Sequence, residues 1–451
     1  MGRRLENEVR GPRRSGAIPW GLFRLGRTTL APVLAAAGNI TLRGVTLASK
    51  LVLTIAIARL LGPEDLGVYG LVVSAVALSV FALGFEYHYF TIRKLIPMNA
   101  IDRAAMIRDQ VGLHVLTLAI ALPAGIWLAL GHGPQFLPAR AIGWYLALVP
   151  VELIANELGV ALVALERPLW SNAVLFLRSA AWVYVVVPLI ALKADRAVGL
   201  DFLFGAWWVG ACASVALAGY FLSDLGWRDA WRRRIDWRTL GEGLGVALPF
   251  IVTTGASLAM LFLDRFFIEH YLGLAAVGVF TFFASLTTGM HTLIYSGVSL
   301  LRMPRLVVAH RAEAASSFRR ELLVMFGMTL AAVAGLALVL LLLIQPVLAL
   351  AGRGVYENSL PVFYVLLVAA ACRATADVPL YALYARHRDL VLASVNAAGL
   401  AAALTANLVL IPRMGLRGAA SAALIGAAVM LGSATVASNL LPVAGSERRA
   451  E

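Results

Sequence analysis

The nonapeptide LGPEDLGVY, Leu61–Tyr69, returns 211 residues further on as LGLAAVGVF, Leu272–Phe280. Leu, Gly, Gly and Val recur at four of the nine places, and the pairs Leu66/Val277 and Tyr69/Phe280 are conservative. Each copy lies between two long apolar stretches, so each joins a first helix to a second, with glycines allowing the tight turn. The same hairpin at corresponding places in the two halves of a chain implies two similar helical lobes. An even number of helices per lobe makes both copies enter the membrane in the same sense, as parallel repeats about an axis along its normal.

The composition requires the membrane. Apolar residues make up 61% of 451 and charged ones only 14%, with a mean hydropathy of +0.83. That exceeds what a soluble core uses and defines an all-α polytopic membrane protein. A helix of about 20 apolar residues crosses about 30 Å of hydrocarbon. Twelve such stretches are expected, near 37–60, 67–92, 107–130, 141–165, 169–192, 199–222, 241–264, 274–300, 322–348, 359–384, 389–411 and 416–440. The expected organisation is a basic tail (1–30), an N-terminal six-helix lobe (31–223), a linker (224–240), a C-terminal six-helix lobe (241–440) and a second tail (441–451).

The net charge of +13 is mainly a topology signal. Of 38 Lys and Arg, 26 lie before the first span or after the even-numbered ones, 8 on the alternate side and 4 within spans. By the positive-inside rule both termini are cytoplasmic. Anionic membrane lipids are the partner this basic face implies, and nucleic acid is not expected. The N-terminal arginines extend too far for a signal peptide, and the apolar run after them continues into a full span, so the tail reads as uncleaved. Between the halves, Trp227, Arg228, Trp231, Arg232, Arg233, Arg234, Ile235, Trp237 and Arg238 read as an interfacial helix on the cytoplasmic leaflet. Cys212 and Cys372 carry no disulfide or metal spacing.

Charges inside spans mark the candidate site. In the first span Asn39, Arg43, Thr46, Lys50 and Thr54 fall at steps of four, three, four and four, on one helix face. A cation in the hydrocarbon core costs about 3 kcal/mol, so it needs a cavity or a partner. Arg43 is near enough to the boundary to snorkel outward; Lys50, about 20 Å deep, is not. Cations facing a cavity suit a diphosphate, Arg forking onto phosphate oxygens and Lys acting as a point charge, and they disfavour cationic drugs. The corresponding places in the second half are Thr254 and Leu261, so the cationic stripe belongs to the first half alone.

Further polar residues lie in other spans. Glu152, Asn156 and Glu157 sit near mid-depth in the fourth and Arg178 in the fifth, where Arg178 can pair with either glutamate. Arg373 and Asp377 are four apart in the tenth, and a shift of 220 residues superposes Glu157 on Asp377. These groups read either as buried ion pairs fixing the packing or as sites for a coupling H+ or Na+. Ser285, Thr288 and Thr292 form a hydroxyl face in the eighth span, able to meet sugars or to serve helix packing. The cluster Glu86, Tyr87, His88 and Tyr89 reads as an interfacial anchor or a cytoplasmic gate.

The segment ARLLGPEDLGVY, Ala58–Tyr69, resembles the first-loop signature of the polysaccharide transporter family, the Wzx-type flippases. The resemblance extends to Asp264, Arg265, Phe266 and Phe267, and to Ile411, Pro412, Gly415, Gly418, Ala419 and Ala420. These motifs are short and degenerate, and they also mark the wider superfamily that includes the multidrug MATE transporters and the lipid II flippase MurJ. The resemblance implies a V-shaped, two-lobed transporter of the bacterial inner membrane. It would move undecaprenyl-diphosphate-linked glycans to the periplasmic leaflet by alternating access, alongside polysaccharide polymerase and export proteins. A MATE-type cation/drug antiporter and a lipid II flippase are the alternatives within the superfamily.

Catalysis finds no support. The chain has no P-loop, HExxH or paired-Cys motif, and Gly241, Gly243 and Gly245 open a span and do not follow a strand. A membrane glycan polymerase or ligase would need a substantial extracytoplasmic loop, whereas the loops on that side are connectors only.

Overall fold

The computed structural model describes residues 30–128, 137–192, 199–311 and 315–440. They form eighteen α-helices and no strand. The first half holds α1 (Leu30–Leu60), α2 (Pro63–Gly84), α3 (His88–Leu95), α4 (Ala100–Trp127), α5 (Ala139–Ala164), α6 (Pro168–Phe176), α7 (Val183–Leu192) and α8 (Leu200–Phe221). A short α9 (Trp227–Arg232) leads into α10 (Trp237–Phe262), α11 (Asp264–Leu272), α12 (Leu274–Ile294) and α13 (Leu300–Arg311). The chain ends with α14 (Ala315–Ala351), α15 (Gly354–Asn358), α16 (Leu360–Ala385), α17 (Asp389–Met414) and α18 (Leu416–Leu440).

Twelve helical segments are long and apolar enough to cross a membrane, as the sequence predicts. Their ends and interiors differ in detail. The second span stops at Gly84, short of the expected residue 92, because Phe85 and Glu86 both adopt positive φ (53° and 52°) and break the helix before α3. The fifth and eighth spans are each interrupted by one π-helical turn, Leu177–Ala181 and Tyr295–Ser299. The 37 residues of α14 extend about 55 Å, well beyond the hydrocarbon thickness.

The repeated nonapeptide holds the halves together at one end, called here the hairpin end. Gly62 (φ 99°) and Gly273 (φ 82°) make the two turns, and Pro63 starts α2 where no amide donor is needed. Gly67 and Gly278 do something else: they let α2 and α12 cross in backbone contact. A Cβ on Gly67 would lie 2.0 Å from the Leu274 carbonyl oxygen, and one on Gly278 1.8 Å from that of Pro63. Pro63 and Leu274 are themselves 211 apart, so the contact is symmetric. Leu53, Leu66, Leu71, Val277 and Phe280 are fully buried around it.

The opposite, basic end carries the second line of contact between halves. Tyr89 stacks on Phe250 with ring centroids 4.3 Å apart, Phe81 lies against Gly255, and Thr254 donates to Glu86 at 3.3 Å. The expected interfacial helix of the linker is only the six residues of α9, and it is clamped to α4. Arg108 donates to the carbonyls of Ala230 and Arg233, Arg233 pairs with Asp102, and the Asp236 amide donates to Asp109 at 3.2 Å. Trp231 and Trp237 remain exposed.

Candidate substrate cavity

On α1 the side chains of Arg43 and Lys50 are both accessible, whereas Thr46 and Thr54 are buried. The two threonines bond back to their own helix, at Leu42 and Lys50 carbonyls. Leu53 has no exposed surface. Accessibility along this face therefore ends within one turn of Lys50, where the packed hairpin end begins. Asn39 lies on α1, but its side chain falls outside the described residues.

Neighbouring helices supply the partners. Arg43 Nε donates to Asn172 Oδ1 on α6 at 3.2 Å, and its charge is felt by Tyr295 on the π turn of the other half. Lys50 is accessible yet surrounded by protein, with Arg178 and Glu152 as its electrostatic neighbours. The π turn after α6 carries Arg178, whose Nε lies 3.4 Å from Glu152 Oε2. Trp207 Nε1 donates to the other Glu152 oxygen at 2.7 Å. One buried carboxylate thus stands against two cations, and with Arg43 this face of α1 carries a positive surplus. A surplus of that sign attracts phosphate and repels organic cations.

The remaining candidates fall into separate clusters. Of the two partners open to Arg178, the structure selects Glu152. Glu157 lies on another side of α5, accepting from Gln110 at 2.6 Å and Asn156 at 3.3 Å, with His114 3.7 Å away. Glu86 meets Thr254 across the halves. Arg373 and Asp377 do not pair with each other: Arg373 donates to Ser257 at 3.1 Å and approaches the Met430 sulfur, while Asp377 meets His291 at 3.0 Å. A cavity of about 140 Å³ within the second half is lined by Ser257, Asp264, Thr288, His291 and Arg373. Ser285 and Thr292 donate to carbonyls of their own helix, at Phe282 and Thr288, which leaves only their acceptor lone pairs for a ligand.

Sequence reading missed four participants: His114, Gln110, Trp207 and Asn172. Gln110 and His114 are one turn apart in an apolar span, which is the one signal that points to them. Glu157 and Asp377, the pair superposed by the 220-residue shift, each stand beside a histidine.

No protein-family model and no curated protein sequence matches the chain. Solved structures do. An inward-facing conformation of a multidrug resistance MATE family transporter of the MOP superfamily superposes with a TM-score of 0.71 at 15% identity, over 88% of this chain and 94% of that one. An outward-facing conformation of such a transporter gives 0.60 at 15% identity, over 90% and 94%. The lipid II flippase MurJ, in an inward closed conformation, gives 0.65 at 10% identity, over 91% and 88%. The chain therefore has the MATE/MOP transporter fold.

Proposed function

We propose that this protein is an inner-membrane flippase that carries a polyprenyl-diphosphate-linked oligosaccharide from the cytoplasmic to the periplasmic leaflet for surface-polysaccharide synthesis. The observation that carries the reading is the accessible pair Arg43 and Lys50, one-sided and backed by Arg178, at the foot of a packed hairpin end. The two cations are seven residues apart, about 10 Å along the helix, and both long side chains can converge on one diphosphate lodged between them. With the basic end cytoplasmic, as the charge distribution requires, the cavity receives its substrate from the side where lipid-linked glycans are assembled. A drug or cation antiporter is the competing use of this fold, and a positive cavity wall opposes it.

In proteoliposomes holding a fluorescent polyprenyl-diphosphate oligosaccharide, the protein should deliver the headgroup to the opposite leaflet, and Lys50→Leu should slow delivery by tenfold or more. Normal delivery by a folded Lys50→Leu variant removes Lys50 from the site. In cells, deletion of the gene should leave a lipid-linked glycan on the cytoplasmic leaflet. Sensitivity to cationic dyes without such accumulation overturns the assignment, and accumulation of lipid II moves it to the peptidoglycan precursor.

A further inference from the structure

The third span places a histidine where an imidazole has nothing to bond. His114 has no exposed surface, and neither ring nitrogen has a hydrogen-bond partner. Its Nε2 lies 3.7 Å from Glu157 Oε2, too far for a hydrogen bond and near enough for an ion pair. Glu157 is 4% exposed and receives only two neutral donors, the amides of Gln110 and Asn156; Gln110 is held in turn by the Thr91 hydroxyl at 2.7 Å. This buried carboxylate, which receives neutral donors, stands beside a buried imidazole, so a proton bound by the pair would neutralise the carboxylate's charge.

We propose that His114 and Glu157 form a proton-binding site of the N-terminal half, loaded through Glu86 and His88 at the contact between halves. The inference rests on the transporter reading for its purpose, since a loaded and an unloaded site would bias the two conformations differently.

Glu157 Oε1 lies 3.4 Å from where a Cβ on Gly84 would stand, two residues before Glu86. His88 feels the charges of both Glu157 and His114, and Glu86 that of Glu157. Glu86 lies in the break after the second span, with Thr254 of the other half donating to it and His88 3.9 Å away. Burial pushes its carboxyl up to about 7, so it can take a proton near neutrality and pass it inward. Opening the contact between halves would remove the Thr254 hydroxyl and change the affinity of Glu86 for that proton.

The other charges on the packed elements are engaged elsewhere. Arg108 pairs with Asp109 and two linker carbonyls, and Arg178 with Glu152. Arg93 and Lys94 on α3 lie over the rings of Phe250 and Phe90, Arg167 pairs with Asp224, and Arg238 on α10 pairs with Glu242. Among the described residues no Lys or Arg pairs with Glu157, which leaves a proton to neutralise it.

Infrared difference spectra between acid and alkaline pH, recorded on the purified full chain in nanodiscs, test the site without any substrate. As pH falls, the wild type should gain a protonated-carboxyl or an imidazolium component from the pair, according to which group holds the shared proton. Subtracting variant from wild-type spectra should show that component lost in Glu157→Gln and, in His114→Gln, lost or moved in midpoint by one pH unit or more, against the bands that Glu86, the other carboxyls and the other histidines contribute. Glu157→Asp should keep a carboxyl band with a moved midpoint, which guards against a folding defect in the glutamine variant. Spectra unchanged in both glutamine variants overturn the proposal. A titrating His114–Glu157 pair in a protein that moves no lipid-linked glycan leaves the site standing and defeats the flippase reading alone.

Discussion

At the residue scale, the charge balance around Glu152 decides whether the polar cluster beside α1 holds. Its carboxylate is 8% exposed, meets Arg178 at 3.4 Å and accepts from Trp207, with Lys50 nearby. Glu152→Gln leaves Arg178 and Lys50 facing each other with no counter-charge, which should cost about 3 kcal/mol and lower the thermal unfolding midpoint in detergent. Adding Arg178→Gln should recover most of that loss. If the double variant is no more stable than the single one, the pair does not act as a unit. The depth of Lys50 and its need for a partner were legible in the sequence, because the cost of a cation in hydrocarbon does not depend on the neighbours. Which glutamate Arg178 meets was not legible, because the π turn at Leu177–Ala181 shifts its register by a fraction of a turn that no spacing rule supplies. His114 stayed hidden for a related reason: its neighbour Glu157 comes from another helix.

At the scale of elements, the two glycines of each nonapeptide copy divide the labour. The sequence suggests turns, and Gly62 and Gly273 make them, but Gly67 and Gly278 serve the crossing of α2 and α12. Close approach of small residues is a common way for helices to associate in lipid, where no hydrophobic drive exists. Because the obstructing atoms are backbone carbonyls, no side-chain rotation relieves an added methyl. Gly67→Ala or Gly278→Ala should force the helices apart at a cost of about 1–3 kcal/mol, read as a lower unfolding midpoint and as reaction of a cysteine placed at Leu71 with a membrane-permeant thiol reagent. Gly335→Ala in α14 is the control: nothing lies within 4 Å of its new Cβ, so stability should hold or rise slightly. Equal effects at Gly335 and Gly67 would show that the crossing accommodates the added methyl and that close approach sets no cost there. The internal repeat located the motif and its copy; that the copies pack on each other is a property of the folded pair, invisible until both halves are in place.

At the scale of the whole molecule, fold class and span number were readable because the bilayer imposes length and apolarity on every crossing segment. The arrangement of the spans was not, since apolar helices packing among lipid tails carry little face-specific pattern; α2 and α5 bury residues all round. The arrangement makes one mechanical claim testable. If the proposed flippase works by alternating access, the hairpin end opens while the basic end closes and the α2–α12 contact separates in each cycle. One turn beyond Gly67, a Cβ on Gly70 would lie 3.1 Å from the Cβ of Thr281, slightly inside the range a disulfide spans. In a background where Cys212 and Cys372 are replaced by Ala, Gly70→Cys with Thr281→Cys should cross-link on mild oxidation. Lipid-linked glycan delivery should then fall at least tenfold and return on reduction, while the Thr281→Cys single variant stays active before and after oxidation. Full delivery by the cross-linked protein would mean that the halves never part at this end, and substrate would have to leave sideways between helices while the crossing of Gly67 and Gly278 stays shut.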